Sequence, residues 1–292
     1  MKYVFMYKHM KEHTIARMAK VLEVSESGYY KWLKRLSAPL TEREKADLEL
    51  TREIHEIYWG SYGVFGARKI TSILNKRHSK QRINHKKVER IMNENCLKSR
   101  VTRAYVNTTD SDHDEPIAPN LLKRDFKADA PDQKFVSDTT EKETKQGKIY
   151  IAAILDLYGR MPVGMAISRR NDTDLVRAAL RDMVQRGHGK AGSILHSDRG
   201  STYASKAYRA DLERNRFICS MSRKGDCWDN APMECFWGKM KEEWLDIPYD
   251  TIDQAKHDVY EYVWGFYPRQ RPHASNGYMT PAEYYQQGKT QL

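Results

Sequence analysis

Cysteine is scarce in this 292-residue chain, and the four present, Cys96, Cys219, Cys227 and Cys235, form no CxxC pair. That spacing argues against a zinc knuckle, and so few thiols fit a reducing compartment better than a disulfide-bonded exterior. His9 and His13 lie four apart on an expected helix, but no cysteine pair follows them, so they read as surface residues. No apolar run approaches the ~20 residues a membrane helix needs. The opening MKYVFMYKHMKEH lacks the apolar core and small-residue cleavage pattern of a secretory signal. A coiled-coil heptad run is missing too, as is any serine or tyrosine recombinase arrangement. What remains, with 40% hydrophobic residues, is a chain long enough for two domains and a real core.

The net charge of +11 is unevenly placed. Residues 1–109 hold 23 Lys and Arg against 11 Asp and Glu, whereas the remainder holds 27 against 28. All the excess positive charge therefore lies in the first third, where it would attract a polyanion, and DNA is the better reading. That third is helical in pattern. Thr14–Leu22 is a short amphipathic run, Glu23–Val24 a turn, and Ser25 a cap for a helix through Leu33. In such a helix-turn-helix rhythm Tyr29, Tyr30, Lys31 and Lys34 would face a major groove. A small three-helix packing unit would give the same pattern. Thr41 and Glu44 then form a capping-box pair for a helix through about Tyr58. After the glycine-rich GSYGVFG come ARKITSILNKR and NHKKVERIMNEN, the latter capped by Asn84 and displaying His85, Lys86, Lys87 and Arg90. Those basic side chains suit phosphates or base edges.

Periodicity is lost from Thr108 to Pro131, where DSDHDEPIAPN is acidic and proline-containing, so 108–131 reads as a linker. LLKRDF within it would lie along DNA or on the core. From Lys134 the pattern turns strand-rich: KFVSD, KIYIAAILDLYG and MPVGMAIS, joined by short turns that imply antiparallel neighbours. A helix capped by Asp172, the strand SILHSD, the helix YASKAYRADLERN and the strand ICSMS follow.

Three acids stand out against this frame. Asp138 lies in the strand-like KFVSDTT, Asp198 closes SILHSD before a turn, and Glu234 opens a helix after DNAP. Asp229 or Asn230 would cap that helix, and Pro232 suits its first turn. Phe236, Trp237, Met240 and Trp244 recur at helical spacing, and Lys241 lies seven residues after Glu234, nearly two turns along the same face. Singly, each has an ordinary reading: a turn residue, a favourable charge at a helix start, a solvated lysine. Together, three carboxylates from separate elements suit Mg²⁺, a hard ion that prefers oxygen ligands. Two such ions would support the attacking and leaving oxygens of a phosphoryl transfer. Asp156, ending the second strand, is a rival for the first acid. In SRKGDCWDN, Arg223, Lys224 and Trp228 would hold DNA beside the site, Trp228 by stacking, or form a packed tryptophan and a solvated turn.

FVSDTT, LHSDRGSTY and GDCWDNAPMECFWGKMKEEW, followed by FYPRQRPHASNGYMTPAEYY, resemble the D,D(35)E signature of bacterial insertion-sequence transposases. There are 35 residues between Asp198 and Glu234. The likeness is to the second reading-frame product of the IS-three group, within the retroviral-integrase superfamily, and covers nearly the whole chain. It implies an α/β fold: a ribonuclease-H-like mixed five-stranded sheet flanked by helices, preceded by an all-α helix-turn-helix region. The implied organisation is a short helical segment 1–38, a helix-turn-helix DNA-binding module 39–107, the linker 108–131, a catalytic core 132–249, and a C-terminal helix and tail 250–292. The resemblance assigns the catalytic and metal-binding acids to Asp138, Asp198 and Glu234, with two Mg²⁺ or Mn²⁺ ions, and leaves Asp156 structural. It gives Lys241 a DNA role and brings Arg269, Arg271 and His273 towards the site or DNA. Phe135, Arg199 and Cys235 stand where the group commonly has Trp, Gln and Ser, and none is a ligand.

The implied function is a transposase that binds element ends, cleaves strands and joins them to target DNA. Its implied partners are the terminal inverted repeats, target DNA, further copies of itself on DNA, and the upstream reading-frame product, in a bacterial cytoplasm at the nucleoid and without a membrane. A metal-dependent nuclease that cuts without joining, or an inactive DNA-binding protein, are the alternatives.

Overall fold

The computed structural model describes residues 1–79, 82–101, 117–223 and 227–290. The chain forms two compact units, Met1–Glu56 and Ile57–Leu292. No described helix is long and apolar enough to cross a membrane.

In the first unit, α1 (Lys2–Lys8), α2 (Ile15–Val21) and α3 (Glu26–Ser37) surround Met6, Met18, Ala19 and Tyr29. Thr14 Oγ1 accepts the Arg17 N–H at 3.4 Å and Ser25 Oγ the Gly28 N–H at 3.0 Å, each satisfying a donor that the helix start leaves open. Two expectations fail here. The helix expected across His9 and His13 ends at Lys8, and His9 instead pairs with Glu12 at 3.0 Å. Tyr29 is 1% exposed. It is the central side chain of this small core and cannot read a groove, unlike Tyr30, Lys31 and Lys34, which are exposed. The capping box is present at the start of α4 (Glu42–Gly60): Thr41 N donates to Glu44 Oε2 at 2.9 Å and Glu44 N to Thr41 Oγ1 at 3.2 Å.

The second unit opens with α5 (Ala67–Arg77) and α6 (His85–Glu94), which bury Ile70, Leu74, Val88, Ile91 and Met92. Asn84 caps α6 by accepting the Lys86 N–H at 2.9 Å. The sheet follows: β1 (Lys134–Thr144), β2 (Gly147–Asp156), β3 (Met161–Ser168), β4 (Ile194–Ser197) and β5 (Ile218–Met221), in the spatial order β3-β2-β1-β4-β5. The first three strands are antiparallel neighbours, while β4 lies parallel to β1 and β5 parallel to β4. This is a mixed five-stranded, ribonuclease-H-like sheet. α7 (Thr173–Gln185), capped by Asp172, lays Leu175, Val176, Ala179, Leu180 and Met183 on it, against Phe135, Ile154, Val163 and Leu195. The run expected as one helix after β4 is two, α8 (Ser201–Ala204) and α9 (Lys206–Arg214), because Ser205 leaves the helix to cap the second through the Tyr208 N–H.

α10 (Ala231–Met240) runs straight into a π-helical turn, Lys241–Leu245, and α11 (Ile252–Tyr260) into another, Glu261–Phe266, then α12 (Tyr267–Arg269); α13 (Pro281–Thr290) ends the chain described. Two boundaries read from composition differ. From residue 117 the segment expected as linker lies on the core: Leu122 and Ala130 are buried, Leu121 N donates to Ser220 Oγ, and Met221 N to the Pro119 carbonyl. The tail after residue 250 is also part of this unit, since α11 packs on β1 and β2. Asn276 Nδ2 donates to the Gly159 carbonyl at 2.8 Å.

Candidate active site

Register brings the first two acids together. Phe135 pairs with Leu195 and Val136 with His196 across the parallel β1–β4 ladder. Two residues further along each strand lie Asp138 and Asp198, at the carboxyl end of β4, where α/β sheets present their ligands. Asp198 Oδ1 accepts the Gly200 N–H at 2.9 Å, which turns the chain sharply after the strand. A Cβ on Gly200 would lie 3.1 Å from that oxygen, so the turn favours glycine. Arg199 Nε donates to the Ser222 carbonyl at 2.5 Å.

The third acid arrives on α10, whose start is pinned from both sides. Asp229 is fully buried and does not cap the helix. Its carboxylate accepts from Arg223 N, Nε and Nη2, from Arg124 Nε and from Asn120 Nδ2, all at 2.8–3.2 Å. Burial works against that charge, but the two guanidinium groups hold the carboxyl well below its usual range. Asn230 is the N-cap residue, yet its side chain makes no capping bond; Nδ2 donates instead to the Ser137 carbonyl at 3.1 Å. Asn230 Oδ1 is buried with no hydrogen-bond partner among the described residues. Pro232 falls in the first turn, where a missing N–H costs nothing.

Glu234 is half-buried, one turn in, and the acids sense one another. The Asp138 carboxyl is pushed well above the usual range by desolvation first, then by the Asp198 charge, with a smaller contribution from Glu234. The Thr139 N–H and the Trp237 indole oppose the rise, the latter donating to Asp138 Oδ2 at 3.2 Å. Among the described residues no three acids, histidines or cysteines are closed tightly enough to hold an ion as they stand. The chemistry of the donor set nevertheless fits a hard divalent cation: three clustered carboxylates whose repulsion a cation would relieve. Lys241 is exposed, and partial desolvation lowers its ammonium group while Glu141 and Asp138 pull it back up, so it feels the field of the first acid.

Asp156 has a different environment. Fully buried, it accepts the N–H groups of Asp132, Tyr158 and Gly159 at 2.7, 2.8 and 3.4 Å, and burial pushes its carboxyl up to about 7. It ties the ends of β2 and the preceding loop and stands apart from the three coupled acids.

The basic residues expected near DNA are spread out. Lys86 is exposed on α6, Lys87 half-buried, and Arg90 exposed with both Glu94 oxygens at 2.9 Å from Nη1. Arg223 has its guanidinium on Asp229, so it holds the loop rather than standing as an uncompensated charge. Trp228 is 63% exposed, which decides against the packed reading. Lys224 lies outside the described residues. Arg271 overturns its expectation: it is buried and forms a two-bond ion pair with Glu243, Nε–Oε2 and Nη2–Oε1 both 2.6 Å. His273 meets Ser275 Oγ at 2.7 Å in a local turn, while Arg269 is exposed. Sequence reasoning missed the Trp237 indole, the Asn230 amide and Glu243, whose roles depend on partners 99, 93 and 28 residues away.

Comparisons with known proteins fit this arrangement. Models described as integrase core domain match residues 128–227 and 215–281, and one described as HTH-like domain matches 44–105. The chain is 36% identical over 268 residues to "Insertion element IS600 uncharacterized 31 kDa protein" of Shigella sonnei, covering 91% of this chain and 97% of the relative. It is 31% identical over 285 residues to "Transposase InsF for insertion sequence IS3A" of Escherichia coli K12, covering 97% of this chain and 98% of the relative. The chain belongs to the IS3-family InsF transposases. It is thus an enzyme of the DDE transposase and integrase class, and both integrase-core matches lie in the unit that carries the sheet. Among solved structures, the catalytic core of HTLV-2 integrase in complex with magnesium matches 53% of this chain and 97% of that one, at 13% identity and a TM-score of 0.40.

Proposed function

We propose that this transposase binds the ends of its element, cuts a DNA strand there to expose a 3′-hydroxyl, and joins that hydroxyl to a second phosphodiester. The observation that carries this reading is the β1–β4 register, which pairs Val136 with His196 two residues before Asp138 and Asp198, while α10, which carries Glu234, bonds β1 through Asn230 and Trp237. Asp138, Asp198 and Glu234 would hold Mg²⁺ or Mn²⁺, two ions per site. Bound there, the cations would supply charge neutralisation for in-line phosphoryl transfer and lower the proton affinity of the attacking oxygen.

The protein side of the work is positioning. Lys241, next along the face of Glu234, would bind a phosphate oxygen and fix the scissile strand. Trp228, exposed just before α10, would stack on a base or sugar and keep the strand end splayed. Lys86, Lys87 and Arg90 on α6 would grip duplex DNA at the element's terminal repeat. Arg223 contributes through Asp229, by holding the loop that presents Trp228. Copies of the chain assembled on DNA, with the upstream reading-frame product, would bring two ends together.

The test is an end-labelled duplex carrying the gene's flanking terminal repeat, incubated in Mg²⁺ with an unlabelled target. Joined product supports the proposal. Cutting without joining on this substrate, even with the upstream product added, makes the chain a nuclease. Binding with neither reaction makes it a DNA-binding protein.

A further inference from the structure

The hydrogen bonds around α10 repeat a pattern. Asn230, Glu234 and Trp237 are spaced four and three apart, so they share one helix face. The first and last of them both bond to consecutive residues of β1: Asn230 Nδ2 to the Ser137 carbonyl at 3.1 Å, and Trp237 Nε1 to Asp138 Oδ2 at 3.2 Å. Glu234 lies between these two points. Both side chains are buried, at 5% exposure each. Ser137 is itself fixed, its Oγ donating to the Ala153 carbonyl at 3.2 Å and lying 3.0 Å from the Tyr203 hydroxyl.

We infer that Asn230 and Trp237 form a two-point clamp that sets the distance and orientation between Asp138 and Glu234, with Trp237 the positioning residue for the Asp138 carboxylate. The inference rests on the reading of these acids as metal ligands. Asp138 sits in a desolvated position beside two other acids, so its carboxylate would turn away unless held. The indole N–H donates to Oδ2 and the Thr139 N–H also bonds the carboxylate, so the group is held from α10 and from its own strand. An indole has one donor and no acceptor, so it can only bond an oxygen of the carboxylate and cannot compete for the cation. Phenylalanine at 237 would keep most of the packing against Phe236 and lose the orienting bond.

Mg²⁺ binding to the full chain, measured by calorimetry, and DNA cleavage across a Mg²⁺ titration distinguish the outcomes. Trp237→Phe should raise the half-saturating Mg²⁺ about tenfold in both readouts, the usual cost of losing a ligand-orienting partner. Cleavage should recover towards wild type at high Mg²⁺. Trp237→His, which restores an N–H donor, should recover part of the affinity. In the wild-type chain the Trp237 indole N–H resonance should shift on adding Mg²⁺, a readout that needs no variant to fold. A wild-type Mg²⁺ isotherm in Trp237→Phe, or an indole resonance that stays put, overturns the clamp. Glu234→Gln measured alongside separates the two failures: if it binds Mg²⁺ and cleaves normally, the ligand reading itself is wrong.

Discussion

Replacing Arg271 by methionine should destabilise the protein severely, although the residue is far along the chain from the acids. Glu243 is 1% exposed, and its carboxylate takes two 2.6 Å bonds from Arg271, one of 3.0 Å from the Tyr262 hydroxyl, and a 3.4 Å contact from Lys69. Burial raises the Glu243 carboxyl, but Arg271 and Lys69 outweigh it and the group stays below its ordinary value. Removing Arg271 leaves a buried charge with one hydroxyl and one distant ammonium. Breaking a buried pair in this way costs about 3–5 kcal/mol. At roughly 2–4 °C per kcal/mol for a domain of this size, Tm should fall by about 10 °C. Replacing both Glu243 and Arg271 by methionine should cost less than Arg271→Met alone, because no orphaned charge remains. Denaturant unfolding of the wild type, the two singles and the double gives the coupling directly. An Arg271→Met variant within about 1 kcal/mol of wild type, well under the range for a broken buried pair, would refute the reasoning.

Three other outcomes follow from the same structure. His196 is fully buried between Ser220 and Ser222, and burial pushes its imidazole down to about 4. A depressed pKa contributes stability above the unfolded value that is lost as pH falls through the folded one. Unfolding free energy should therefore drop by about 3 kcal/mol between pH 6.5 and 4 on this account, and the drop should shrink in His196→Gln when denaturant midpoints are compared across pH. Removing Lys86 and Lys87 together should weaken binding to terminal-repeat DNA and reduce the slope of log affinity against log salt by about 2; an unchanged slope places the DNA elsewhere. Thr41→Ala should cost about 1 kcal/mol through loss of the α4 capping box, read by thermal unfolding, and no loss would mean that the helix start is frayed in solution.

Much of the architecture was legible because its signals are local. Ser25, Asn84 and Asp172 cap helices where the sequence places them, and the strand runs carry their own periodicity. β1 is longer than expected, since Thr139–Thr144 is polar and its pairing is made by the backbone: Glu141 sits opposite Tyr150 and Thr144 opposite Gly147. The proline-containing segment after 117 looked like a tether because its anchors, the Pro119 carbonyl and the amide of Leu121, meet residues about 100 positions later. The same limit hid the Asp229 anchor and Arg271. Basic residues are read from sequence as available charges, and only tertiary structure tells a paired arginine from an unpaired one. The three acids stand out through turns, caps and spacing and are assigned a role by family resemblance, whereas the indole that bonds the first of them carries no local signal.

Strand cleavage in Mg²⁺ by wild type beside Glu234→Gln, with DNA binding measured on the same preparations, tests the central claim most directly. The account predicts that Glu234→Gln binds terminal-repeat DNA as the wild type does and neither cuts nor joins it. Cleavage by Glu234→Gln at the wild-type rate would contradict it.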